Sequence, residues 1–368
     1  MAAMKVPYVD LGAHNGKVRA ELLEAVGRVL DHGWFVLGPE VTELEKRLAE
    51  RLDVPHVVSV HTGTDALVLA LRVAGIGPGD EVITVSHSFV STATAIRLVG
   101  AVPVFVDVDE GTMQMDAGRL EAARTVNTRA VLPVHLGGFA CDMGPIVAFC
   151  NEHGLTIIED CAQSLGATSG GRAVGSFGLG CFSLHPLKVL SACGDGGFIA
   201  VADDDVAEEL RQLRNNGLRD RDHVAHVSAN SRLDTVQAAM LLVKERHLDA
   251  WIDARRAHAA AYREALEGVV RLPPEEAPDS RAVYSTFVIR VPDRDGFQAA
   301  LKADGVDAKV HYPIPIHLQL PFAPFSTPLP VTERVVSEIL SLPVTPELDE
   351  AGRSVVIDAV RRAARERS

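Results

Sequence analysis

Lys188 stands in the stretch LHPLKVLSACGDGG (184–197), between a proline and an apolar run, and three glycines around Asp195 follow it. An amine kept in a semi-enclosed place can give up its proton, attack a carbonyl and form a Schiff base. The alternative for Lys188 is a solvated side chain on an ordinary strand connection. Glu159 and Asp160, in TIIEDCAQSLGA (156–167), end an apolar strand. A carboxylate there is costly without a cationic or hydrogen-bonded partner, and ligands of open α/β sheets gather at strand carboxyl ends. Asp160 therefore requires a protonated partner. In HTGTDALVLAL (61–71), Gly63, Thr64 and Asp65 fall where a strand turns into a helix. Free N–H groups at such a terminus bind phosphate, and Thr64 would serve equally as a plain N-cap.

Positioning these groups needs a scaffold that gathers strand ends. From residue 56, β-rich runs (HVVSV, EVITV, VPVFVDV, RAVLPVHL, GLTIIED) alternate with helical patterns such as TDALVLALRVAGI and VSTATAIRLVG. This rhythm predicts an α/β fold, a mostly parallel sheet covered by helices on both faces. PEVTELEKRLAERLD places Val41, Leu44, Leu48 and Leu52 at helical spacing behind Pro39, predicting a helix packed on the sheet. A helix at about 204–214 follows, then a helical tract from Asp234 towards Leu266, long enough to bridge two lobes or to contain a break. LPPEEAPDS (272–280) opens a segment with YSTFVIRV, a helix from Asp295, VDAKVHY and two closing helices, a smaller α+β lobe. The expected division is a large domain, 1–245, and a small C-terminal domain, 246–368.

Composition narrows the function. Among 368 residues, 36 basic against 49 acidic side chains give a formal charge of −13, which repels a phosphate backbone. The basic groups of RNNGLRDRD (214–222) are interleaved with acids, so a solvated face is expected and nucleic acid is not a partner. No apolar run reaches the ~18 residues of a membrane span, and MAAMKVPYVD lacks the pattern of a secretory leader, so a cytoplasmic protein without a membrane partner is expected. Cys141, Cys150, Cys161, Cys181 and Cys193 are scattered singly and read as reduced small hydrophobes. No G-x-G-x-x-G follows the first strand, GIGPGD (75–80) reads as a turn, and GAHNGKV lacks Walker spacing. Fourteen histidines include no H-E-x-x-H, so no metal is expected.

Pyridoxal 5'-phosphate answers all three demands together: a phosphate for the helix terminus, a pyridine nitrogen for Asp160 and an aldehyde for Lys188. Phe89, in SHSFVSTATA after the strand EVITV, could offer its face to the ring or simply pack in the core.

At these residues the chain resembles the DegT/DnrJ/EryC1/StrS sugar aminotransferases, which have the aspartate aminotransferase type of fold. The resemblance rests on GTDAL (63–67), EDCAQSLGA (159–167), FSLHPLKVLSACGDGG (182–197), NSRLDTVQAAML (230–241) and YPIPIHLQ (312–319). It implies that Lys188 is the Schiff-base lysine, that Asp160 pairs with the pyridine nitrogen and that Gln163 lies by the ring hydroxyl. Gly63, Thr64 and Ser183 would hold the phosphate and Phe89 would stack. Asn230 would reach the phosphate of a neighbouring subunit, in a homodimer with shared sites. Against the family's commoner S-F-H-P-x-K-N-L pattern, Leu184 replaces Phe and Val189 replaces Asn, which puts fine substrate geometry in doubt.

The implied reaction moves an amine from an amino acid, L-glutamate by expectation, through pyridoxamine phosphate to a keto sugar on a nucleoside diphosphate, dTDP by expectation. GTDAL and HYPIPIHLQ look more like members acting at a 3-keto than a 4-keto position. Tyr312 and His317 are candidate sugar-facing groups, or packing residues of a Pro-rich loop. Two alternatives share the fold: a pyridoxamine-dependent sugar dehydratase, in which His replaces the lysine, and a non-catalytic regulatory relative. Lys188 and Asp160 speak against both.

Overall fold

The structure, a computed structural model, describes residues 4–367; residues 1–3, where the N-terminal stretch and the 1–245 division begin, and residue 368 lie outside the described residues. Two helices, α1 (Leu11–His32) and α2 (Pro39–Leu52), precede β1 (His56–Val60) and α3 (Gly63–Val73). The chain continues through β2 (Glu81–Val85), α4 (Ser91–Leu98), β3 (Val102–Val106), α5 (Leu120–Ala123) and β4 (Thr128–Leu132). Next come α6 (Met143–His153), β5 (Thr156–Asp160), the short β6 (Thr168–Ser169) and β7 (Arg172–Ala173), β8 (Leu179–Ser183) and β9 (Gly197–Val201). Helices α7 (Asp204–Leu213), α8 (Thr235–Glu245) and α9 (Leu248–Leu266) lead to the C-terminal lobe. That lobe holds β10 (Phe287–Arg290), α10 (Arg294–Ala303), α11 (Pro330–Glu338), β11 (Ile339–Leu342) and α12 (Glu350–Arg365).

The main sheet has seven strands in the order β1-β9-β8-β5-β4-β2-β3. Only β9 runs against its neighbours; the other pairings are parallel, as the apolar strands predict. The carboxyl ends of β1, β2, β4, β5 and β8 therefore meet along one edge. Helix α2 starts where expected, with Pro39 at a position whose N–H would be unpaired in any helix. Its Val41, Leu44, Leu48 and Leu52 are buried with Val57, Phe198 and Ala200 of the sheet, each such side chain contributing roughly 1.5–3 kcal/mol.

The long helical tract both breaks and bridges. It is interrupted between Glu245 and Leu248. Leu248 and Ile252 of α9 then join the large-lobe core, while Ala259, Tyr262 and Leu266 enter the small-lobe core with Phe287 and Leu340. Val6 also packs in the small-lobe core and bridges Val306, so the N-terminal segment returns to the second lobe. Helix α1, absent from the sequence expectations, lays Val18, Leu22, Ala25 and Val29 on Ala239 and Val243 of α8. No helix among the described residues is long and apolar enough to cross a membrane.

Candidate active site

A cavity of about 380 Å³ opens at the shared carboxyl edge of the sheet. Gly63 and Thr64 after β1, Phe89 after β2, Asp160 and Gln163 at the end of β5, Ser183 and Lys188 after β8 and Tyr312 from the second lobe all line it.

Strand alternation divides the two acids of β5. Glu159 is fully buried away from the cavity, where its carboxylate accepts from the N–H groups of Gly175 (2.7 Å), Phe177 (2.8 Å) and Gly178 (3.0 Å). It also meets His135 Nε2 at 3.1 Å, while His135 Nδ1 accepts from the Cys141 N–H at 3.0 Å. With Nδ1 accepting, Nε2 carries the ring proton that faces Glu159. His135, Glu159 and Cys161 bring their ligand atoms within 4.8 Å of one another, but the lone pairs of the first two are already engaged, and the group is a hydrogen-bond network organising the 175–178 turn.

Asp160 faces the cavity and is 6% exposed. Its Oδ2 accepts from Thr92 Oγ1 at 2.7 Å and its Oδ1 from the Ala162 N–H at 3.2 Å. Burial raises its pKa, against the opposing pull of Thr92, Ala162 and Lys188. Across the cavity, burial lowers the pKa of Lys188 and the charge of Asp160 pulls it back up. The Lys188 N–H donates to the His185 carbonyl at 2.8 Å, and Ala192 N–H to Leu184 O at 2.7 Å, closing the loop that presents the amine. In the GDGG turn a Cβ on Gly197 would lie 2.5 Å from the Thr62 carbonyl, so only glycine lets the turn pass so close to the start of α3. Leu184 and Val189 are buried in the core beside α2 and α8 and do not line the cavity, so these departures from the family pattern alter packing and not the cavity wall.

The helix cap differs from the expectation. Helix α3 begins at Gly63, so Thr62 is the N-cap, its hydroxyl accepting from the Asp65 N–H at 2.9 Å, a bond worth about 1 kcal/mol. Thr64 is freed to face the cavity and donates to Ser91 Oγ at 2.9 Å. The N–H groups of Gly63 and Thr64 make no hydrogen bond among the described residues. Ser183 stands opposite, so close that a Cβ on Gly63 would lie 2.6 Å from its Cβ. Free backbone donors, two hydroxyls and the positive end of a helix form a cradle for a phosphate. With an amine and a buried carboxylate in the same cavity, the residues present fit pyridoxal phosphate.

Phe89 is 51% exposed, turned to the cavity and not to the core, with its ring 5.4 Å from that of Tyr312. Gln163 is held by accepting from the Gly137 N–H at 2.7 Å and donates to the Tyr312 hydroxyl at 3.2 Å. His317 departs from its expected place. It is 1% exposed, bonded through Nδ1 to Ser86 Oγ at 2.7 Å with Nε2 3.3 Å from Glu333, and does not line the cavity. Its 3₁₀ turn packs against the end of β2, and the preceding His311 and Tyr312 reach the cavity instead. Asn230 is exposed and outside its own chain's cavity; its neighbour Ser231 donates to Asp65 in the first turn of α3 at 2.7 Å. Cys193 is exposed, unlike the four buried cysteines, because the turn holding it is tied outward to Gln237. Arg214 leaves the expected solvated face: it is buried, bonded to Glu45 and Ser59.

Sequence reasoning missed Thr92, Tyr8, Arg255 and His311. Arg255 had a signal: it sits on the buried stripe of α9 with Ile252 and Ala259, where an arginine needs a reason.

The profile of the DegT/DnrJ/EryC1/StrS aminotransferase family matches residues 17–361. The chain is 44% identical over 359 residues (97% of each protein) to the UDP-N-acetyl-3-dehydro-alpha-D-glucosamine 3-aminotransferase of Acidithiobacillus ferrooxidans. It is 42% identical over 365 residues (98% of this chain, 96% of the relative) to the dTDP-3-amino-3,4,6-trideoxy-alpha-D-glucose transaminase of Streptomyces venezuelae. The crystal structure of S. venezuelae DesV in complex with a ketimine intermediate superposes with a TM-score of 0.95 at 42% identity, covering 98% of both chains. The chain belongs to the DegT/DnrJ/EryC1/StrS aminotransferase family and works with pyridoxal phosphate.

Proposed function

We propose that the protein transfers the amino group of L-glutamate to the 3-keto carbon of a sugar carried on a nucleoside diphosphate. The observation that carries this reading is the desolvated pair Lys188–Asp160 set in one cavity beside the free N–H groups of α3. The 3-keto preference is supported by the two relatives described above, both named for sugars aminated at that carbon.

Bound pyridoxal phosphate supplies an aldehyde that takes up an amine and a ring that accepts an electron pair from the neighbouring carbon. The chain's own residues do the rest. Gly63, Thr64 and Ser183 hold the phosphate at the start of α3. Asp160 keeps the ring nitrogen protonated, its carboxylate fixed by Thr92 and the Ala162 N–H. Phe89, which lines the cavity, would offer its face to the ring, and Gln163, immobilised by Gly137, would bond the ring hydroxyl. Lys188 Nζ, its pKa lowered by burial, would accept the proton from the donor carbon, hold it as the ammonium and return it to the cofactor's aldehyde carbon, and would carry it in the opposite sense for the sugar. Tyr312 projects from the second lobe over the same cavity, placed to meet the sugar. A lysine at this position favours transfer over dehydration.

The test is the visible spectrum of the cofactor-loaded protein. Glutamate should bleach the aldehyde band, and a 3-keto sugar nucleotide, dTDP- or UDP-linked, should restore it. Restoration by 4-keto sugars alone would overturn the 3-keto assignment, and no bleaching by any amino acid would overturn transamination.

The active form is proposed to be a homodimer in which Asn230 enters the neighbour's phosphate cradle, since Asn230 is exposed and outside its own cavity. Mixed dimers of Lys188→Ala and Asn230→Ala chains would then hold one site with both lesions and one with neither. Random assortment should return about a quarter of wild-type activity from two impaired parents. Absent recovery after demonstrated subunit exchange would place Asn230 in its own chain's site.

A further inference from the structure

The cavity wall also holds three polar side chains that the reaction above does not use. Arg255 of α9 is 8% exposed and lines the cavity. Its Nε has no partner, its Nη1 reaches only the Tyr284 and Ser285 carbonyls, each at 3.5 Å, and its Nη2 makes no hydrogen bond among the described residues. The Glu347 charge acts on it against the effect of burial, but no carboxylate among the described residues forms an ion pair with it, and Glu347 is bonded to His14 at 2.7 Å. The Ser285 hydroxyl is likewise buried without a partner, the buried Tyr8 hydroxyl faces only Ser341 without meeting hydrogen-bond geometry, and both residues line the same cavity.

One buried unpaired donor is costly, and a guanidinium with two hydroxyls left unpaired in one place implies a ligand that pairs them. We infer that Arg255, Tyr8 and Ser285 form a clamp for a carboxylate of the amino-acid donor, and of the keto acid that leaves. The inference rests on the aminotransferase reading and deepens it. The planar guanidinium presents paired N–H groups that match a carboxylate, and the two hydroxyls can donate to its remaining lone pairs. The cofactor phosphate already has its own cradle at α3. The clamp adjoins the reacting groups: the Tyr8 ring lies 5.4 Å from that of His311, and His311 lines the cavity with Lys188. Burial lowers the His311 pKa to about 4, so at neutral pH Arg255 supplies the positive charge there. The arrangement draws on three distant places: a segment before α1, the middle of α9 and the approach to β10. Ser285 is set by Tyr284, which takes φ 48°, a left-handed conformation that a non-glycine residue adopts only when its surroundings impose it.

A carboxylate could also come from an acidic sugar, and the two half-reactions separate these sources. Tyr8→Phe, Ser285→Ala and Arg255→Lys holoenzymes would be mixed rapidly with glutamate, and their pyridoxamine forms with the keto sugar nucleotide. Glutarate, with two carboxylates and no amine, would be titrated calorimetrically into each. The apparent Kd for glutamate should rise about fivefold or more in the first two variants and about thirtyfold in the third. Glutarate binding should weaken in parallel, and the sugar half-reaction should change far less. The melting temperature of Tyr8→Phe and Ser285→Ala should stay level or rise, because each removes an unpaired buried hydroxyl. A structural role would instead lower stability and leave glutarate affinity alone. Unchanged glutamate and glutarate affinities, an equal loss in both half-reactions, or a loss confined to the sugar half-reaction would each overturn the donor clamp. If the wild type never reacts with an amino acid, transamination falls, while the glutarate titration still decides the clamp.

Discussion

Lys188→Ala protein is expected to fold, to bind pyridoxal phosphate without a covalent bond and to lose turnover by about 10³-fold or more, the range typical of a deleted proton-transfer group. Folding should survive because burial disfavours the Lys188 ammonium. With the folded-state pKa below the unfolded one, that penalty is fully present at pH values under the folded pKa and disappears as pH rises past the ordinary lysine value. Removing the amine therefore takes away a cost at neutral pH. Substitution should not recruit another amine: Lys244 is also buried, but it donates to the Ser191 carbonyl at 2.8 Å and does not line the cavity. Borohydride reduction of the wild type followed by peptide mapping should label Lys188, and a label on any other lysine would refute the assignment.

Asp160→Asn should keep the cofactor and lose catalysis on the order of 10²–10⁴-fold, because a neutral amide no longer favours the protonated ring nitrogen. The Ala162 N–H can still donate to the amide oxygen at the Oδ1 position, and the Thr92 hydroxyl can turn to accept from the amide NH2 at the Oδ2 position, so the side chain should hold its place. The same variant makes a second, independent prediction about Lys188. Burial lowers the lysine pKa and the Asp160 charge raises it; without that charge the amine should lose its proton at still lower pH. In cofactor-free protein, the rate of covalent capture of pyridoxal phosphate rises with pH as the amine is freed. Its midpoint should lie below that of free lysine and move lower still in Asp160→Asn. Unchanged turnover or an upward shift would remove Asp160 from this role.

Sequence by itself determined the groups whose chemistry is written in their immediate neighbours. Lys188 beside its glycine turn, Asp160 at the end of an apolar strand and Gly63–Thr64 at a strand-to-helix junction all came from local pattern, as did the α/β alternation and α2. Periodicity and strand ends are properties of five to fifteen consecutive residues, so they are visible without a fold. Tertiary structure decided the rest. Alternation says that Glu159 and Asp160 point to opposite faces, but only the placement of the 175–178 turn behind β5 decides that Glu159 is the one bonded away. His317 and His311 are six residues apart in one Pro-rich stretch, and the packing of a single 3₁₀ turn against the end of β2 buries the first and leaves the second at the cavity. Tyr8 and Ser285 have no local signature, and Arg255 has only its place on the buried stripe of α9, because their meeting depends on α9 crossing between two cores and on the N-terminal segment returning to the second lobe. Contacts made across such separations are selected by how layers of structure pack, and no short window of sequence records that choice.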